Sequence, residues 1–116
     1  MCYLLHAARQ RAFRRGLPFE ISVDWALHRL VAQHYRCART DIPLQLVCPR
    51  TNTTYNAFSP SFDRVDSDKG YTADNVQLVC FMYNSAKNRF SSEDVLMFAE
   101  GLLMQNSIVI DNSREA

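Results

Sequence analysis

The stretch Ser59-Pro60-Ser61-Phe62-Asp63-Arg64-Val65-Asp66-Ser67-Asp68-Lys69-Gly70-Tyr71-Thr72-Ala73-Asp74-Asn75 decides how the chain is read. Five of these seventeen residues are Asp or Asn, which disfavours helix: short Asx side chains bond nearby backbone and build turns instead. The pattern predicts a brief strand over 62–65, then a long turn-rich loop. Gly70 is expected to supply a positive backbone angle there. Phe62 is expected in the core, holding the strand that presents Asp63. Ordered loops of this length in small domains are commonly functional.

Downstream, Val76–Phe90 carries a helical stripe of Val79, Met82, Tyr83 and Ala86, with Asn84, Lys87 and Asn88 on adjoining faces. Ser91 with Asp94 three residues on predicts a capping box and a last helix to about Met104. Ile108-Val109-Ile110 reads as a short strand before a tail. Upstream, Leu44–Cys48 and Tyr55–Phe58 read as two strands joined by the polar loop 49–54. A helix over 23–36, capped by Ser22, has the stripe Leu27, Leu30, Val31 and His34. A short strand is expected at 17–21, and a first helix over 2–15 that stops at Gly16 and Pro18. One domain is expected: a helical Arg-rich leader (1–36), a core with the last helix (37–105), and a tail (106–116).

With 116 residues, 47% apolar and 22% charged, the composition is that of a globular domain able to bury a core. No apolar run spans a bilayer, and no positive-then-apolar leader opens the chain, so no membrane association and a cytoplasmic location are expected. None of Cys2, Cys37, Cys48 and Cys80 forms a CxxC pair, so buried free thiols are expected rather than structural zinc or disulfides. The net charge of +1 hides an asymmetry of +5 over residues 1–50 and −4 over the rest. Arg9, Arg11, Arg14 and Arg15 cluster with no acid before Glu20. Guanidinium forks match phosphate oxygens, so this helix is either a nucleic-acid contact or a solvated face.

From Asp63 to Lys87 a strand presents Asp63, a loop ends with Asn75, and a helix presents Asn84. A carboxylate and an amide carbonyl are hard donors that, with water, suit Mg²⁺, Mn²⁺ or Ca²⁺ better than zinc. On spacing alone, an Asx-rich loop bonding its own backbone explains the same residues. However, Ser-x-Asp-Arg-x-Asp, then Gly-Tyr, Asp-Asn-Val and Asn-x-x-Lys, resembles the HNH or His-Me finger endonucleases, in a small phage-type form. The upstream Ala8-Arg9, Arg11-Ala12, Leu17-Pro18-Phe19, Cys37, Thr40 and Ile42-Pro43-Leu44 resemble the leader of such proteins. The likeness spans about residues 8–100.

That resemblance implies an α+β fold: an HNH-like ββα-metal core flanked by N- and C-terminal helices. It implies Asp63 and Asn84 as ligands of Mg²⁺ or Mn²⁺, Asn75 as the central residue bracing the loop, and Lys87 as a phosphate contact. The family's general base is a His after the strand acid, and here Arg64 stands there. Arg stays protonated and cannot accept a proton from water. His6, His28 and His34 all lie outside the motif, and His34 is expected packed in the core. Either Asp66 or Asp68 serves as base, or Arg64 stabilises phosphate charge, or the domain binds without cutting. The expectation is a metal-dependent DNA endonuclease or nickase in a phage-infected bacterial host. The alternative is an inactive HNH-fold accessory protein that binds nucleic acid or inhibits a host protein. Tyr71, Tyr83, Phe81 and Phe90 are either base-stacking or core residues.

Overall fold

A computed structural model describes residues 2–46, 56–88 and 90–106. It is α+β: a small antiparallel hairpin with helices before and after it. The chain divides into two units, Met1–Asn84 and Ser85–Ala116. No helix among the described residues is long and apolar enough to cross a membrane.

Helix α1 (Cys2–Arg15) buries Leu5, Ala8 and Ala12 on one stripe and exposes its arginines. It ends in a Schellman turn: Leu17 N–H bonds Ala12 O and Gly16 N–H bonds Phe13 O, with Gly16 at φ 66°. Arg14 and Arg15 fall in the last turn, where cations suit the helix dipole. The strand expected at 17–21 is reduced to one parallel bridge between Phe19 and Tyr71.

Helix α2 (Val23–Ala32) starts as expected, with the Ser22 side chain accepting Trp25 N–H at 3.1 Å. It ends four residues earlier than its periodicity predicts. Tyr35 N–H bonds Leu30 O and His34 N–H bonds Val31 O, a second Schellman turn with His34 (φ 54°) where glycine is usual. His34 is therefore exposed, not a core residue. The buried stripe is Ala26 and Leu30 with half-buried Val23, leaving Leu27 and Val31 48% and 56% exposed.

Strand β1 (Pro60–Arg64) pairs antiparallel with strand β2 (Val76–Cys80), Phe62 opposite Leu78 and Asp63 opposite Gln77. Here the predicted helix over 76–90 is corrected: its first five residues are strand, and helix α3 is Phe81–Lys87. Alternation is hidden because Val76, Leu78 and Cys80 on one face and Val79 on the other are all buried. A short apolar run of that kind has no readable period. The free edge of β2 is closed by Gln33, whose Nε2 donates to Leu78 O at 2.9 Å and whose Oε1 accepts Leu78 N–H at 3.2 Å. The core joins these strands to α1, α2, Ile21, Cys37, Leu44 and Tyr71.

Of the hairpin expected at 44–48 and 55–58, residues 44–46 and 56–58 are described. Leu44–Leu46 is not a regular strand, yet Gln45 N–H bonds Phe58 O at 2.7 Å, so the two legs do meet. Val47, Cys48, the loop 49–54, Tyr55, the 108–110 strand and all but the first residue of the tail lie outside the described residues. In the second unit, helix α4 (Ser92–Gln105) opens on the predicted capping box between Ser91 and Asp94.

Candidate functional site

Asp63 sits mid-strand in β1 and is 2% exposed. Its cross-strand neighbour Gln77 donates from Nε2 to Asp63 Oδ2 at 2.9 Å. The helix expected over 76–90 hides Gln77 as a partner of Asp63; the hairpin register is the signal that finds it. Ser61 lies two residues before Asp63, on the same face of the strand. Asn84 reaches that face from α3: its Nδ2 donates to Ser61 Oγ at 2.7 Å and to Phe62 O at 3.1 Å. The helix amide is thus bonded to the two strand residues that precede the strand acid. The register is rigid because β2 runs straight into α3, whose first N–H groups bond back to Ser59 O and Ala57 O.

With its NH₂ bonded to the strand, the Asn84 amide leaves its carbonyl end directed elsewhere. A carboxylate and an amide carbonyl fit a hard cation by donor type. Mg²⁺ and Mn²⁺ accept such sparse protein ligation because they keep several waters. Among the described residues no cluster of three or more His, Cys, Asp or Glu offers a fuller cage.

The loop between the strands is organised by Asn75, which is 6% exposed. Its Oδ1 accepts Asp66 N–H at 2.9 Å, and its Nδ2 donates to Asp66 O at 3.0 Å and Gly70 O at 2.8 Å. Asp66 Oδ1 accepts Asp68 N–H at 3.0 Å, an Asx turn. Arg64 donates from Nη1 to Ser67 O at 2.7 Å and Lys69 O at 3.2 Å, and its guanidinium lies 5.2 Å over the Tyr71 ring. Asp74 is held below the usual carboxylate range chiefly by the Thr72 hydroxyl, which donates to it at 2.6 Å. The Asx-rich stretch thus bonds its own backbone between the two strands of the hairpin.

Tyr71 is buried, so it belongs to the core. It packs on Phe19 with centroids 5.6 Å apart, and Phe19 carries the Arg9 guanidinium at 5.2 Å. This ladder of Arg9, Phe19, Tyr71 and Arg64 ties α1 to the hairpin loop through cation–π contacts. Arg11, Arg14 and Arg15 are exposed, and so is Phe13, at 85%. Phe13 was not singled out in the sequence; its position off the Leu5–Ala8–Ala12 stripe is the mark that identifies it. In the second unit, Lys87 closes α3 and is buried, at 9% exposure, so it is not a solvated lysine. Phe90 is exposed, and Tyr83 is half-buried with Arg39 5.8 Å from its ring centre.

The chain matches no family model, no curated protein and no solved structure.

Proposed function

We propose that this chain is an HNH-type, phage-encoded domain that hydrolyses phosphodiester bonds in DNA with a divalent cation. One observation carries the proposal: Asn84 on the helix after the hairpin is bonded to β1 at Ser61 and Phe62, beside Asp63. Asp63 and Asn84 would hold Mg²⁺ or Mn²⁺. Bound there, such an ion supplies a polarised phosphate oxygen and an acidified water. Arg11, Arg14 and Arg15 would grip the phosphate backbone, with Phe13 free to stack on an unpaired base. Asn75 would hold the loop in shape.

A second reading rests on a different observation. Arg64, in the position of the missing base, is bonded to Ser67 O and Lys69 O and stacked on Tyr71. A protonated group held this way takes no proton from water. The domain would then bind nucleic acid, or a host protein, without cutting.

Plasmid nicking separates the two. Wild-type protein is expected to nick supercoiled DNA with Mg²⁺ or Mn²⁺ and not with EDTA. Asp63→Asn is expected to slow nicking about a hundredfold, near 2.7 kcal/mol of transition-state stabilisation. A folded wild type that nicks under neither metal yet retains DNA selects the second reading. DNA binding itself is checked by salt titration. Changing Arg11, Arg14 and Arg15 to Gln is expected to lower the log–log salt slope by about 2 to 3, near 0.9 per lost phosphate contact. An unchanged slope removes α1 from the interface.

A further inference from the structure

The hairpin holds a second reactive feature that the proposed hydrolysis does not use. Cys37 and Cys80 are both free thiols, 2% and 3% exposed, and come from distant parts of the first unit. Cys37 follows the turn that ends α2, and Cys80 is the last residue of β2, where α3 departs. Cys80 N–H donates to Cys37 Sγ at 3.3 Å, which brings the two thiols into one neighbourhood. We propose that this pair is an oxidation site: a small hydroperoxide closes Cys37 and Cys80 into a disulfide that pins the end of β2, and with it the start of α3, to the 37–41 turn.

The two sulfurs are unequal, as a two-step oxidation requires. Burial pushes the Cys37 thiol up, but the Thr40 hydroxyl and the N–H groups of Cys80, Arg39 and Thr40 outweigh it and hold the thiol below its ordinary value. Burial raises Cys80, and the neighbouring Cys37 adds to the rise against the Tyr83 N–H, which lowers it. Cys37 is therefore the sulfur that more readily becomes a thiolate, the nucleophilic form. Its thiolate attacks the peroxide oxygen, the O–O bond breaks, and the leaving oxygen takes a proton as alcohol or water. Cys37 is then a sulfenic acid. Cys80 loses its proton and attacks that sulfur, the S–O bond breaks, and water leaves. Two thiols and one hydroperoxide yield one disulfide, one alcohol or water, and one further water. Because the Cys37 sulfur already sits on the Cys80 N–H, closing the S–S bond calls for local adjustment of the two side chains.

The test uses the full chain in a Cys2→Ser, Cys48→Ser background, reduced, desalted and treated with one equivalent of hydrogen peroxide. Peptide mapping is expected to find Cys37 joined to Cys80, reversibly by dithiothreitol. The melting temperature is expected to rise by about 10 °C, as closing a long loop stabilises the fold. Cys80→Ser is expected to stop at a Cys37 sulfenic acid trapped by dimedone. Cys37→Ser is expected to leave Cys80 unmodified. Recovery of both thiols as free cysteines overturns the proposal. So does a sulfenic acid that forms on Cys80 first. The plasmid-nicking result bears on neither outcome.

Discussion

Asn75→Ala is expected to destabilise the fold by about 3 kcal/mol. Asn75 satisfies three backbone groups at once: the N–H and C=O of Asp66 and the C=O of Gly70. Alanine removes all three bonds and fills none of the space. The Gly70 carbonyl bond is buried, so water cannot easily replace it, and an unmet buried acceptor costs about 1–3 kcal/mol. The two bonds to Asp66 are part-buried and add about 1 kcal/mol each. In a thermal melt the midpoint should fall by about 15 °C. Asn75→Asp sharpens the test. It keeps the Oδ1 acceptor but turns a carboxylate oxygen toward two carbonyl oxygens, so at neutral pH it should be at least as damaging as alanine. A mild Asp variant, or an alanine variant that melts with the wild type, would show that the loop does not depend on this residue.

That loop shows what was legible beforehand and what was not. The Asx-rich composition of 59–75 announced turns, and the turns are there. The α1 stop at Gly16 and the Ser91–Asp94 box were readable because caps are local chemistry written in neighbouring residues. The failures share a physical cause. β2 was read as helix because both its faces are buried, and burial on both faces erases the period-2 signal. The end of α2 was overrun because His34 and Tyr35 adopt positive φ without a glycine to announce it. Partners such as Gln77 for Asp63 and Gln33 for the β2 edge depend on register, which no single segment encodes.

The placement of β2 also changes the chemistry available. With a strand between loop and helix, Asp63 gains a cross-strand neighbour and Asn84 comes back over the hairpin to Ser61. The arginine at position 64 then has a structural explanation. It clamps the loop carbonyls of Ser67 and Lys69 and stacks on Tyr71, a role that a neutral histidine with two ring nitrogens fills less well. Arg64 thus stiffens the loop beside the strand that carries Asp63.

Gly70→Ala should be as damaging as Asn75→Ala, because of contact rather than backbone angle. Gly70 was expected to supply a positive φ, but among the glycines only Gly16 has one. Gly70 is needed for contact. A Cβ there would lie 2.6 Å from Pro18 Cδ and 2.9 Å from Pro18 N, and closer still to the Pro18 carbonyl oxygen. That same carbonyl accepts Tyr71 N–H at 2.9 Å, and Tyr71 O accepts Glu20 N–H at 2.8 Å. Backbone cannot swing aside as a side chain can, so the methyl must part the two segments and pull Tyr71 from Phe19. Overpacking of this kind costs about 1–3 kcal/mol, and the lost bonds carry Gly70→Ala to the upper end or beyond. The other glycines supply the controls. Gly101→Ala sits inside α4 with nothing within 4 Å, so it should stabilise by up to about 1 kcal/mol through helix propensity. Gly16→Ala has open space but φ 66°, so it should cost about 1–2 kcal/mol. Urea midpoints for the three variants should therefore rank Gly101→Ala above wild type, Gly16→Ala below it and Gly70→Ala lowest. If Gly70→Ala instead matched Gly16→Ala, the approach of the loop to Pro18 would not be the constraint that fixes the site's shape.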